Sequence, residues 1–343
     1  MDHQTMPTPL ARSVDRRAIW VGLAILYGVW GSTYLAIAVA VDTLPPFLMA
    51  AARFGLAGLA LLAWVTIRRR ASLTRPTRRQ LLDSTVVGAL LLGGGMGLVA
   101  WGEQTIPSGI TAVVVAMMPV WVAIFGGTFF GDRLPRIAGL GIVVGFVGVA
   151  ILVGPTAVGA PGALDAAGVL AVLVAPIAWS IGSLYASHRA RLPGDPLVAT
   201  GMQMVAGSLV LALMAVATGE PGRFEPTRVS IESFGAFLYL TVIGSVLAFT
   251  TFGWMLRVAP LPLVATYAYV NPVIAVILGA LILAEPIEPR MLLAGAIIVG
   301  AVALIVTARG RMAPPRGALP RPTIPPAPSE PRAAPAPSRS TSG

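Results

Sequence analysis

Apolar runs of about 20 residues, separated by short polar segments, dominate this chain. Hydrophobic residues make up 56% of its 343 positions and charged residues only 11%, whereas a typical soluble domain has about 25% charged residues. This number of charged residues is too small to cover the surface of a soluble protein. A bilayer must therefore surround most of the chain. A helix needs about 20 mostly apolar residues to cross the hydrocarbon core. The sequence therefore predicts an all-α integral membrane protein.

Ten apolar runs are long enough to be transmembrane helices. They cover residues 18–40, 45–67, 81–101, 107–130, 137–154, 167–187, 196–217, 233–255, 261–283 and 290–308. A short N-terminal arm, 1–17, precedes the first run. The tail, 309–343, is rich in Pro, Ala and Ser, a composition typical of disordered segments. Because ten is even, both termini are expected on the same side of the membrane.

The arginines indicate which side is cytoplasmic. All 24 basic residues are arginines, and 20 of them lie in the terminal segments or after the even-numbered runs. Arg223, Arg228 and Arg290 lie on the other side, and Arg53 lies within a run. Because Lys and Arg concentrate in cytoplasmic loops, this distribution predicts a multi-pass protein of the plasma membrane with both termini in the cytoplasm.

The composition also limits which cofactors and partners are expected. The chain has no cysteine, and its two histidines, His3 and His188, are far apart. These counts exclude disulfides and thiolate metal sites, and we expect no metal and no cofactor. The net charge of +10 follows from membrane orientation and does not indicate nucleic-acid binding. The expected partners are the lipid bilayer and a small-molecule substrate, for a chain that is a monomer or a homodimer.

The chain contains an internal repeat, in which residues 101–132 match 254–285 at a constant offset of 153 residues. The matched residues are Trp101 and Trp254, Pro107 and Pro260, Pro119 and Pro272, and Asp132 and Glu285. Trp30 matches Trp179 at an offset of 149 residues. The repeat divides the chain into halves of five helices, 18–154 and 167–308. Because five is odd, the halves would have opposite orientations, and two inverted five-helix repeats are typical of secondary transporters.

Three stretches in this order resemble the drug/metabolite transporter superfamily, in particular its EamA-type branch. They are WGSTYLAI at 30–37, PPFLMAAARF at 45–54, and the prolines of the fourth and ninth runs with GD or AE at the run end. The resemblance covers about residues 18–308. It implies a ten-helix transporter that moves small metabolites, chiefly outwards, by alternating access. It also implies that helices 1, 3, 4, 6, 8 and 9 line a central cavity.

Polar and kinked positions of the two halves fall at one depth. Trp30, Trp179 and Pro119 each lie 12 residues into their runs, or about 18 Å at 1.5 Å per residue. That depth is near the midplane of a core about 30 Å thick, where transporter sites lie. The predicted substrate-binding residues are Trp30, Ser32, Thr33, Tyr34, Arg53, Trp101, Trp179, Tyr267 and Asn271, and the predicted helix kinks are at Pro119 and Pro272.

Each of these residues also has a structural interpretation, since small and polar side chains commonly mediate helix contacts in membranes. Arg53 could bind a substrate carboxylate or phosphate, or hold helices together, and the resemblance favours the structural role. Asp83, Glu103, Asp132 and Glu285 are interpreted as solvated charges at helix ends, with gate latches as the alternative. Because no carboxylate lies at mid-depth, the sequence argues against a proton-coupled exporter of cations built around a membrane-embedded glutamate.

The leading functional interpretation is a secondary transporter, in the export direction, of small organic metabolites such as amino acids. The alternatives are a membrane-embedded enzyme and a non-transporting membrane sensor. An enzyme needs a catalytic base, a nucleophile or a metal site at the membrane interface. The sequence offers no paired carboxylates, no histidine cluster and no cysteine, so it does not predict an enzyme.

Overall fold

The computed structural model describes residues 16–68, 75–131, 135–153, 164–259, 261–264 and 266–312, and these ranges contain helices and no strand. We label the long helices of the described chain α1–α10. They are α1 Arg16–Val41, α2 Pro46–Arg68, α3 Arg78–Gly102, α4 Ser108–Phe129, α5 Arg136–Val153, α6 Ala166–His188, α7 Pro196–Ala217, α8 231–258, α9 Tyr267–Ile282 and α10 Pro289–Met312. Short helical turns occupy Glu220–Arg223, Pro226–Arg228 and Leu261–Val264.

The all-helical membrane class predicted from the sequence is confirmed. Within the described residues, eight helices are long and apolar enough to cross a membrane, while α5 and α9 are apolar but shorter. The ninth run was predicted from residue 261, but its long helix begins at Tyr267. A separate short helix, Leu261–Val264, precedes α9. The count of ten membrane crossings therefore remains a prediction.

Two helices contain a π-helical segment at corresponding places. In α3 this segment is Ala89–Gly97, and in α8 it is Leu240–Leu247. These helices are the third of each half, so the segments fit the internal repeat. π turns inside α-helices are often found at functional sites.

The two helices with predicted kinks differ in their backbone. The fourth helix is interrupted between its segments Ser108–Val115 and Met118–Phe129, and Pro119 lies in the first turn of the second segment. Pro272 lies inside α9 without ending it. Because proline has no amide hydrogen, the carbonyl of Ala268, four residues earlier, loses its helical partner.

Glycines bring α2, α3 and α7 into backbone contact. A Cβ atom on Gly58 would lie 2.9 Å from the carbonyl oxygen of Gly201, and one on Gly88 would lie 2.4 Å from that of Gln203. A Cβ atom on Gly207 would in turn lie 2.9 Å from the carbonyl oxygen of Gly88. Such close approach is how small residues stabilise helix packing in membranes.

Corresponding helix ends are joined by side-chain hydrogen bonds. In α3, Asp83 accepts from the Tyr185 hydroxyl at 2.6 Å and from the backbone N–H of Arg191 at 2.7 Å. In α8, Ser233, which is 150 residues later, donates to the carbonyl of Val39 at 2.7 Å. The bonds therefore join the start of α3 to the C-terminal end of α6, and the start of α8 to the C-terminal end of α1.

The interpretation of the acidic residues as solvated charges was wrong for Asp83 and Glu103, which are 1% and 6% exposed. Glu285 is partly buried, and its carboxylate accepts from the backbone N–H groups of Ser108 at 2.8 Å and Gly109 at 3.0 Å. It thereby caps the N-terminus of α4, where a negative charge is stabilising. Asp132 lies outside the described residues.

Candidate functional site

A cavity of about 90 Å³ lies among α1, α3, α4, α6 and α9, with Arg53 of α2 and Phe249 of α8 also in its wall. Both halves of the repeat contribute to it. Its aromatic lining consists of Trp30, Tyr34, Trp179, Phe249 and Tyr267. Concave, mostly apolar sites with a few polar groups are typical of small-molecule binding.

Seven of the nine predicted substrate-binding residues line this cavity, together with Pro119 and Pro272. The seven are Trp30, Thr33, Tyr34, Arg53, Trp179, Tyr267 and Asn271. Residues spaced three or four apart share a helix face, which explains why Trp30, Thr33 and Tyr34 line the cavity together.

Ser32 and Trp101 lie outside the cavity lining. Ser32 is off the face of α1 that carries Trp30, and its hydroxyl donates to the Gly28 carbonyl at 2.7 Å and lies 2.6 Å from the Tyr239 hydroxyl. Trp101 lies at the end of α3 and lines a separate depression with Gln104.

An aromatic cluster surrounds Trp30 in the cavity wall. The Trp30 ring centroid lies 4.8 Å from that of Tyr267, 5.1 Å from Phe252 and 5.7 Å from Phe249. One helical turn earlier on α1, the Tyr27 hydroxyl hydrogen-bonds the Thr266 hydroxyl. The Trp30 side chain therefore packs α1 against α8 and α9.

The π segments position helices from the opposite half at the cavity. A Cβ atom on Gly95 would lie 2.8 Å from the Trp179 ring, so the missing side chain lets α6 bring that ring to the cavity wall. In the other half, a Cβ atom on Gly244 would lie 3.2 Å from Thr33 and 3.3 Å from Nη2 of Arg53. Gly95 and Gly244 thus allow close helix packing at the cavity wall.

Arg53 is the charged group of the cavity wall and is 2% exposed. Its Nε donates to the Ser245 hydroxyl at 2.9 Å, and its guanidinium carbon lies 4.6 Å from the Phe54 ring centroid. Ser245 in turn donates to the carbonyl of Leu240 at 3.0 Å. Within the described residues no carboxylate forms an ion pair with Arg53.

Asn271 supplies a second polar group at the cavity wall. It is 6% exposed, and its Oδ1 has no hydrogen-bond partner among the described residues. Buried polar atoms without a partner are uncommon in folded proteins. The cavity wall therefore contains one cationic side chain, Arg53, and one amide side chain whose oxygen is buried without a partner.

Sequence reasoning missed Pro176 and Phe249 in the cavity wall. Pro176 lies inside α6, and the Ser180 hydroxyl donates to its carbonyl at 2.6 Å and to that of Met118 at 3.0 Å. A proline in the middle of an apolar run was the available signal for a break in the helical bonding. Phe249 carried no comparable signal, because an apolar aromatic residue in an apolar helix is ordinary.

Comparisons with known proteins agree with this architecture. The model of the EamA-like transporter family matches residues 18–154 and 166–307. The chain is 36% identical over 285 residues to the uncharacterized inner membrane transporter YedA of Escherichia coli K12, covering 82% of this chain and 89% of that protein. It is 25% identical over 285 residues to the uncharacterized transporter YvbV of Bacillus subtilis, covering 83% and 90%.

A solved crystal structure has the same fold, with a TM-score of 0.58 and 22% sequence identity over 87% of this chain and the whole of that one. The two family matches together span most of the chain and correspond to the two halves of the repeat. The resemblance to drug/metabolite transporters is confirmed, and the chain is a multi-pass membrane protein that belongs to the EamA-like transporter family.

Proposed function

We propose that this protein is a secondary transporter that exports small organic metabolites such as amino acids by alternating access. The observation that carries the proposal is the cavity between the two halves, with its aromatic lining, Arg53 and the free Oδ1 of Asn271. Guanidinium groups bind carboxylates through paired, charge-assisted hydrogen bonds. The seven predicted residues that line the cavity are the proposed substrate-binding residues.

The chemistry of the cavity fits an amino acid with an apolar side chain. Its carboxylate would bind Arg53, and its ammonium group would donate to the free oxygen of Asn271. The apolar side chain would contact Trp30 and Trp179, since large aromatic surfaces bind apolar groups well. This assignment gives every polar group of the proposed ligand a partner.

Alternating access requires two arrangements of the same halves around one site. We propose ten transmembrane helices in two inverted repeats, 18–154 and 167–308, with the arm 1–17 and the tail 309–343 in the cytoplasm. The arginine distribution supports this orientation. The bonds of Asp83 and Ser233 support a symmetric gating scheme, because each joins one half to the other at one pair of helix ends.

Counterflow in proteoliposomes tests the proposal. Vesicles that contain purified protein and unlabelled L-leucine or L-phenylalanine should take up the same labelled amino acid without changing it chemically.

The Asn271→Ala variant removes the acceptor for the ammonium group, and loss of a hydrogen bond to a charged group costs about 1.5–3 kcal/mol. It should therefore weaken binding about tenfold or more.

Thr250→Ala is the matched control, because Thr250 is exposed and bonds only within its own helix, to the carbonyl of Val246. It should transport as well as the wild type. Binding of an amino acid without flux would support the sensor instead, and chemical alteration of the solute would support a membrane-embedded enzyme.

A further inference from the structure

Glu103 is a buried carboxyl group without a hydrogen-bond partner. It is 6% exposed, and neither of its oxygens accepts a hydrogen bond from any described residue. Two hydroxyl groups in the first turn of α4, those of Ser108 and Thr111, are also fully buried and unpartnered. An ionised carboxylate in such surroundings carries a large desolvation cost. These groups therefore indicate a site that binds something other than a protein side chain.

The position of Glu103 connects it to the cavity. Its backbone N–H donates to the carbonyl of Val99 at 2.9 Å, and Val99 lines the cavity one turn earlier. Glu103 therefore lies at the end of α3, one helical turn beyond a residue of the cavity wall.

The charged groups around Glu103 do not neutralise it. Glu285 is already bonded to two backbone N–H groups of α4. On the α6 side, Asp165 accepts from the N–H of Gly168 at 2.6 Å and lies 3.4 Å from the Thr105 hydroxyl. Beyond them, Asp42, Glu220 and Arg223 line the separate depression. No described arginine or histidine forms an ion pair with Glu103.

We propose that Glu103 is a proton-binding site, protonated in this conformation, which releases its proton to water when the cavity opens and so couples the proposed transport to a proton gradient. The coupling rests on the proposed transport function, whereas proton binding at Glu103 does not. In this step the O–H bond of the Glu103 carboxylic acid breaks, water takes up the proton, and Glu103 becomes a carboxylate. No other bond changes. Burial without a hydrogen-bond partner disfavours a charge at this position.

Infrared spectroscopy during a pH titration of the purified protein tests the site directly. The wild type at neutral pH should show a C=O band of a protonated carboxyl group that is absent from Glu103→Gln. The control variant Glu232→Gln removes an exposed carboxylate and should keep the band. An identical band in the wild type and in Glu103→Gln, or no band in either, would overturn the proposal. If Glu103→Gln does not fold, Glu103→Asp should retain a protonated carboxyl group with a shifted band.

A second measurement tests the coupling in proteoliposomes with L-leucine or L-phenylalanine. Glu103→Gln should lose accumulation driven by a pH gradient and keep exchange at equal pH, while Glu232→Gln keeps both. Absence of exchange in the wild type would contradict the transport function, and the infrared result would still decide the proton site. A rise in melting temperature with sodium chloride over choline chloride, seen in the wild type and absent from Glu103→Gln, would indicate a sodium site and overturn the proposal.

Discussion

Replacing Arg53 with lysine is expected to abolish amino-acid binding nearly as completely as replacing it with alanine. The Nε of Arg53 is held by Ser245 at 2.9 Å, which fixes the guanidinium plane at the cavity wall. A lysine ammonium is a point charge that cannot reproduce a paired bond to a carboxylate. Loss of one partner of a buried charge pair costs about 2–5 kcal/mol, or about 30-fold or more in Kd. The measurement is the shift in melting temperature caused by L-leucine or L-phenylalanine.

The structural alternative for Arg53 makes a different prediction. If its contact with Ser245 holds α2 against α8, both variants should lose folded protein in the membrane, in addition to binding. Arg68→Lys is the matched control, because Arg68 is exposed and stacks on Trp64 at 4.6 Å. Full binding by a well-folded Arg53→Lys variant would contradict the proposed carboxylate contact.

Substituting Gly88 should strongly destabilise the fold, because this residue packs directly against the backbone of α7. The Cβ atom of Gly88→Ala would lie 2.4 Å from the carbonyl oxygen of Gln203 and 2.9 Å from the amide nitrogen of Gly207. These are backbone atoms, so α3 and α7 must separate. Overpacking of this kind costs about 1–3 kcal/mol, and Gly88→Leu should yield no folded protein. Melting temperature and the yield of monodisperse protein in detergent measure the effect.

Gly300→Ala provides the control, because nothing lies within 4 Å of a Cβ atom at that position of α10. Alanine is favoured over glycine in a helix by up to about 1 kcal/mol, so this variant should be as stable as the wild type or more so. Equal stability of Gly88→Ala and Gly300→Ala would show that α3 and α7 do not pack as described.

The helices could be predicted from the sequence because a membrane imposes a minimum apolar length and leaves short polar connections between the runs. The irregularities inside these helices could not be predicted from the sequence. The π segments Ala89–Gly97 and Leu240–Leu247 change the backbone bonding without changing the apolar composition. The late start of α9 at Tyr267 depends on local backbone geometry, which an apolar run beginning at 261 does not reveal.

The cavity was predicted in part, for a geometrical reason. Depth along a helix follows from residue count, so Trp30, Trp179 and Pro119 could be placed at one level. The direction of a side chain depends on the helix face and its neighbours, so Ser32 was included although it lies off the face that carries Trp30. Glu103 was interpreted as a solvated charge because its burial arises from contacts between helices that are distant in sequence.

Cysteine accessibility in a chain without native cysteines tests alternating access to this cavity most directly. Trp30→Cys and Trp179→Cys should react with a membrane-impermeant maleimide from either face of the membrane, in right-side-out and in inverted vesicles. L-Leucine or L-phenylalanine should slow both reactions, because a bound solute excludes the reagent from a shared cavity. Leu209→Cys on the outer face of α7, where the native side chain is 63% exposed, should stay unlabelled in lipid. Transport-active variants that resist labelling from both faces would contradict the account, since these positions would then be packing sites that water never reaches.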